Sequence, residues 1–188
     1  MDTRAALIAT ATRLFSTHGY DAVGVQDIVE AVGVTKPSLY HHFGSKHGLL
    51  EALLDERHAA LMARLGSAAV YEHDLTGTLL TLLAAYLDFA AEDPAFFRLW
   101  MALLVAPPEH ECFAPASGRY RTQLDLVERV FVEATTDHGN MRGRARRYAY
   151  TFIALVNAIA ALQLSGALVA DEATRFAIIH QFSHGIYS

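Results

Sequence analysis

Cysteine is almost absent: Cys112 is the single thiol in 188 residues. One thiol excludes an internal disulfide framework, so stability has to come from buried apolar surface, and the composition suits a reducing compartment. Proline is sparse, at five residues, and charged residues make up 19%, which excludes proline-rich linkers and charge-driven disorder. Lysine is scarcer still, with only Lys36 and Lys46, ten positions apart. No Asn-Gly or Asp-Gly turn with flanking alternation occurs, so no hairpin is predicted. No phosphate loop, nucleophile–base pair or complete metal-ligand set is visible, so neither enzyme chemistry nor a cofactor is expected. The first residues, Met1 to Ala6, lack the basic and apolar regions of a secretory signal, and a cytoplasmic location is expected.

What the chain does have is apolar residues, 53% of the total, recurring at helical spacing. Leu7, Ile8, Ala11, Leu14 and Phe15 predict a helix over 3–17, stopped by Gly19. Val25, Ile28, Val29 and Val32 predict a second, only about two turns long, ended by Gly33. Thr35 is placed to cap a third, with Pro37 in its first turn and Leu39 and Phe43 following. Gly44 closes it, and Ser45 caps a fourth helix reaching about residue 65. Further helices follow from Leu75 to Leu87, from Asp93-Pro94 to about Val105, and from Tyr120 to Phe131. The last two cover about 141–165 and about 171–186, the latter running through Phe176, Ile179, Phe182 and Ile186. The Pro-bounded stretch 106–117 reads as a loop. The expected fold is all-α, with about nine helices.

The longest run without a charged side chain, 148–170, follows Arg142, Arg144, Arg146 and Arg147 and has the length of a bilayer span. Thr151, Asn157 and Gln163 interrupt it, and Ser165-Gly166 ends the helix, leaving about 18 helical residues. This favours a helix covered by its own protein and a partner subunit, with no membrane. The arginines before it are expected to pair with acids elsewhere.

The second and third helices, joined at Gly33-Val34, are too short to bury a core alone and must pack on the first and fourth. That is a helix-turn-helix arrangement. Lys36 falls in the first turn of the third helix, where the helix dipole disfavours a cation by roughly 0.3–1 kcal/mol, so stability alone does not select it. A guanine edge or a phosphate would reverse the penalty. Ser38 and Tyr40 add hydroxyls, His41 and His42 add ring donors, and Lys46 at the start of the fourth helix suits phosphate. Residues 1–47 carry four bases and four acids, so the net charge of −5 resides in the remaining 141 residues.

The stretch Val25-Gln26-Asp27-Ile28-Val29-Glu30-Ala31-Val32-Gly33-Val34-Thr35-Lys36-Pro37-Ser38-Leu39-Tyr40-His41-His42-Phe43-Gly44-Ser45-Lys46, after Gly19-Tyr20, resembles the DNA-binding signature of TetR-type transcriptional regulators. The resemblance implies an all-helical homodimer whose residues 1–47 bind a palindromic double-stranded operator. Residues 48–188 would then bind a small-molecule inducer and dimerise through the last two helices, most simply in a repressor. By the same resemblance Gln26, Lys36, Pro37 and Ser38 are base-facing, beside Thr35 at the helix start. Tyr40, His41, His42 and Lys46 mostly touch the DNA backbone. Gly24 departs from the family, which usually has Ser or Thr there, and the loss of that hydroxyl implies one phosphate contact fewer per subunit.

No motif of like specificity marks the remainder. Tyr86, Phe89, Trp100, Met101, Tyr120, Phe152 and Asn157 are candidates to line an effector pocket with an aromatic wall and a polar handle. Glu109-His110-Glu111-Cys112 and the i, i+4 pair His180 and His184 hold metal-capable groups, but neither completes a site. Two other readings, a membrane-tethered or structural interaction protein and an enzyme, find less support in the residues.

Overall fold

A computed structural model of the chain describes residues 2–184, whose regular elements are all helical, with no strand among them. The elements are α1 (Thr3–His18), α2 (Val25–Val32), α3 (Lys36–Phe43), α4 (Lys46–Ala68), α5 (Leu75–Glu92), α6 (Pro94–Leu104), α7 (Phe113–Ala134), α8 (Ala145–Leu164) and α9 (Glu172–His184), with a short 3₁₀ turn at Gly139–Met141. Ile186, predicted within the last helix, lies outside the described residues.

Two boundaries and one cap differ from the sequence expectation. The fourth helix continues to Ala68, past Gly66, which sits in ordinary helical space. The predicted loop 106–117 is shorter, because α7 begins at Phe113. Pro115 then falls in the first turn, where its missing N–H deprives no carbonyl of a partner. Thr35 does occupy the N-cap of α3, but its side chain makes no capping hydrogen bond.

Packing divides the chain into two compact units, Met1–Ala59 with Asp93–Arg119, and Ala60–Glu92 with Tyr120–Ser188. In the first, α1 packs on α2, α3 and α6. Its core joins Leu7, Ile8 and Phe15 to Ile28, Leu39, Leu50, Leu53, Phe96 and Trp100, all buried. In the second, α5 packs on α8 and α9. Leu79, Leu82, Leu83 and Leu87 are buried there, as are Val127, Val130, Phe131, Phe152 and Val156. The Tyr86 hydroxyl donates to Asn157 Oδ1 at 2.8 Å, which satisfies two polar groups in that interior.

The charge-free run becomes α8, which ends as predicted, with Ser165 as C-cap and Gly166 at φ +75°. α5, at 18 residues, is also long and apolar enough to cross a membrane, a feature the sequence reading did not single out. Of the basic residues that open α8, Arg146 pairs with both Asp125 and Glu128 at 2.6 Å. Tyr150 and Leu162 on α8 and Phe176 on α9 remain exposed.

Asp93 starts α6: its Oδ1 accepts from the Phe96 N–H at 3.0 Å and its Oδ2 lies 3.5 Å from the Arg57 guanidinium. Asp93→Ala is expected to lower stability by about 1 kcal/mol. Urea unfolding would show a lower midpoint at unchanged slope, and an unchanged midpoint would show that the cap contributes nothing.

Candidate functional site

The turn between α2 and α3 is built on Gly33. At φ +78° its N–H bonds the carbonyls of Val29 (2.9 Å) and Glu30 (3.1 Å), and the Val34 N–H also reaches Val29 O at 2.9 Å. A side chain at this left-handed position would be strained, so glycine allows the abrupt reversal. The Thr35 carbonyl then accepts from the N–H groups of Ser38 (3.0 Å) and Leu39 (3.3 Å), starting α3.

Leu39 is fully buried and fixes which way α3 faces. Thr35, Lys36, Pro37, Tyr40, His41 and His42 are exposed, Tyr40 by 47%, and Ser38 is half-buried. The His41 and His42 rings meet edge-on at 5.5 Å. Lys36 has no ion-pair or hydrogen-bond partner among the described residues. Gln26 is exposed on α2, where its amide donates to Glu30 one turn later. At Gly24 the backbone N–H donates to Asp27 Oδ2 at 2.7 Å, so α2 is capped by that carboxylate and the missing hydroxyl is not replaced.

Lys46, expected from the sequence at phosphate, is engaged within the protein. Its Nζ donates to the carbonyls of Tyr20 (3.0 Å) and Val23 (3.1 Å) and lies 4.0 Å from the Tyr20 ring centroid. Two of its three N–H groups are therefore engaged in fastening the α1–α2 loop to α4. That loop is held from a second side by His110, whose Nε2 lies 2.9 Å from Asp21 Oδ2 while its Nδ1 accepts from the Cys112 N–H at 3.2 Å.

The other metal-capable groups are similarly engaged. Cys112 is 1% exposed, and burial, reinforced by the Glu111 carboxylate, pushes its thiol up to about 12. The His180 and His184 rings stack on one another with centroids 4.3 Å apart.

The effector candidates divide between the two units. Trp100 and Met101 belong to the first, where Trp100 stacks on Phe96 (6.1 Å) and lies beside His58 (5.7 Å) as core packing. Burial holds the His58 imidazole below its ordinary range. Tyr86, Phe89, Tyr120, Phe152 and Asn157 belong to the second. Tyr86 and Phe152 line a narrow internal cavity together with Gln123, Val127 and Val156, and Asn157 fixes the Tyr86 hydroxyl. Phe89 is covered by the Arg64 guanidinium at 5.5 Å, and Tyr120 is half-buried.

Gln123 was missed by the sequence reading. It is 1% exposed, and neither amide atom has a hydrogen-bond partner among the described residues. The signal that could have found it is a glutamine at a position where the period of α7 calls for an apolar residue.

Two outcomes follow. Lys46→Met is expected to lower the melting temperature by several degrees and to weaken binding to any DNA, while leaving the dependence of log K on log salt unchanged. A salt slope reduced by about one would return Lys46 to the phosphate. At pH 8 a thiol reagent such as dithionitrobenzoate is expected to label Cys112 only after unfolding, and rapid labelling of the native protein would contradict its burial.

With this geometry in place, comparison with known proteins is informative. Residues 7–53 match the family described as bacterial regulatory proteins, tetR family. The HTH-type transcriptional activator FasR of Mycolicibacterium smegmatis is 33% identical over 153 residues, covering 81% of this chain and 68% of FasR. The HTH-type transcriptional repressor AcnR of Corynebacterium efficiens is 30% identical, covering 76% of this chain and 70% of AcnR. The transcriptional regulator FadR from Bacillus subtilis, solved in complex with stearoyl-CoA, shares the fold with a TM-score of 0.81 at 14% identity, covering 97% of this chain and 99% of that one. A signature confined to a quarter of the chain is thus joined by a relative aligned over most of it, and the chain belongs to the TetR family of bacterial regulatory proteins.

Proposed function

We propose that this DNA-binding transcriptional regulator acts as a cytoplasmic homodimeric repressor, released from a palindromic operator by a small-molecule effector. The observation that carries the reading is α3. Its apolar side is fixed by the buried Leu39, and Lys36 at its leading end is exposed to solvent together with Pro37, Tyr40 and His41. A two-turn helix with that surface and no internal partner for Lys36 suits the major groove, where the leading residues of a recognition helix meet base edges. In this reading residues 1–47 contact DNA. Gln26, Thr35, Lys36, Pro37 and Ser38 lie toward the bases, and Tyr40, His41 and His42 toward the backbone.

Residues 48–188 then serve effector binding and dimerisation. The exposed Tyr150 and Leu162 on α8 and Phe176 on α9 support a second subunit as the cover for these helices, rather than lipid. A two-fold axis would set the recognition helices about one DNA turn apart, ~34–36 Å. The small cavity of about 10 Å³ beside Tyr86, Phe152 and Gln123 has an apolar lining, which is the surface an effector's apolar body would meet if the surrounding side chains moved apart. Stearoyl-CoA bound to the Bacillus subtilis neighbour supports an acyl-type molecule. Binding there would act by shifting populations, with α4, which contributes to both units, as the link. The relatives include both an activator and a repressor of transcription, and none of those reported is named as an enzyme.

Fluorescence anisotropy against the DNA upstream of the protein's own gene tests the proposal: specific, salt-sensitive binding is expected, and binding no tighter than to random DNA overturns it. In the same assay Lys36→Ala is expected to cost about 1–3 kcal/mol on the operator and far less on random sequence. Equal losses on both would remove Lys36 from base recognition.

A further inference from the structure

We propose that a cleft at one end of the second unit is the entrance to the effector site. It would hold the anionic head of an amphiphilic carboxylate whose apolar chain runs toward Gln123 and carries a hydroxyl or keto oxygen to meet that amide. The inference rests on the reading that the second unit binds the effector, and it adds the ligand's chemical class and orientation.

The cleft has a volume of about 520 Å³, within the range of small-molecule sites. Its walls come from the starts of α5 and α8, the ends of α7 and α9, and the 3₁₀ turn. Leu79, Phe131 and Phe182 give it an apolar surface, and Arg147, His138 and His184 bring basic groups. No aspartate or glutamate among the described residues lines it, although residues 48–188 hold more acids than bases. Arg146 is neutralised by Asp125 and Glu128, whereas its neighbour Arg147 meets no carboxylate among the described residues. Arg147 stands exposed in the first turn of α8, where the helix dipole works against a cation, and its guanidinium lies 5.9 Å from the Tyr148 ring centroid, beside the cleft. An anion in the cleft would reverse that cost.

The cleft and the Gln123 cavity are successive steps along the same helices. On α5 the cleft is lined by Leu79 and the cavity by Leu82; on α7 by Phe131 and Val127; on α8 by Thr151 and Phe152. Between the two spaces stand aromatic rings, with centroids 6.4 Å apart for Phe131 and Phe152 and 5.7 Å for Phe152 and Phe182. Rings packed at these distances can turn aside to admit a slender chain, where a backbone wall could not. Gln123 lies eight residues before Phe131, about 12 Å along α7, so a chain of roughly ten carbons spans the path. Its buried amide, with donor and acceptor both unpartnered, carries a desolvation cost that a ligand oxygen would relieve.

Isothermal titration of the full-length protein with decanoate, 10-hydroxydecanoate and decan-1-ol tests the assignment. Carboxylates are expected to bind more tightly than the alcohol, and 10-hydroxydecanoate more tightly than decanoate. Arg147→Gln should weaken both carboxylates about tenfold and leave decan-1-ol unchanged. Arg144→Gln, which removes an equal charge from a residue outside the cleft, should change nothing. Gln123→Leu should abolish the preference for the hydroxylated chain. Equal effects of Arg147→Gln and Arg144→Gln, or equal binding of acid and alcohol, overturn the entrance. If decan-1-ol binds and releases operator DNA while Arg147→Gln has no effect, the effector reading stands and this assignment falls. If no probe binds, the assignment is overturned, while operator binding without any probe still reports separately on the regulator.

Discussion

Everything at the proposed DNA-facing surface depends on burying one side of two helices that cannot stand by themselves. α2 and α3 have eight residues each, below the length at which a helix is stable alone in water. Their geometry is inherited from Ile28, Val29 and Leu39, which are buried where α2 and α3 pack on α1 and on each other. Once Leu39 is buried, the 3.6-residue period turns Pro37 and His41, two positions to either side of it, outward, while Lys36 is exposed at the leading end of the helix. The recognition surface is thus the complement of a packing decision, and the Gly33 turn makes that decision compatible with chain connectivity.

Polar groups reinforce the arrangement where apolar contacts are thin. The α1–α2 loop has little core of its own. It is fastened by the Lys46 ammonium on two carbonyls and by the contact between His110 and Asp21. α6, remote in sequence from α1, packs on it within the same unit. This suggests why a helix of the second half of the sequence matters to the bearing of the first.

The second unit follows a different rule. Its interior is largely apolar and aromatic, and each buried polar group there has to find a partner or carry a cost. Tyr86 and Asn157 satisfy one another, and Arg146 satisfies two carboxylates at the margin. Gln123 is the exception, an unpartnered amide in the cavity, and in the cleft one turn further along the exposed Arg147 lies over the Tyr148 ring and meets no carboxylate among the described residues. Local rules that fail without compensation inside a well-packed unit are characteristic of binding sites.

Much of this was legible in the sequence. The helix stops at Gly33, Gly44 and Ser165-Gly166, the proline in the first turn of α3, and the outward residues of that helix all follow from interactions within about four positions, which a linear reading captures. Pro115 misled the reading of α7, since a proline after a loop signals either its continuation or the first turn of a new helix. Tertiary structure alone decided which charges were already engaged. Lys36 and Lys46 look alike in sequence, as do Arg146 and Arg147, yet one of each pair is occupied by groups 18 to 26 residues away. The burial of Gln123, the separation of Trp100 from Tyr86 into different units, and the discontinuous first unit are likewise non-local. Helix formation is set by neighbours along the chain, whereas the partner of a side chain is set by which distant segments the fold brings within hydrogen-bonding reach.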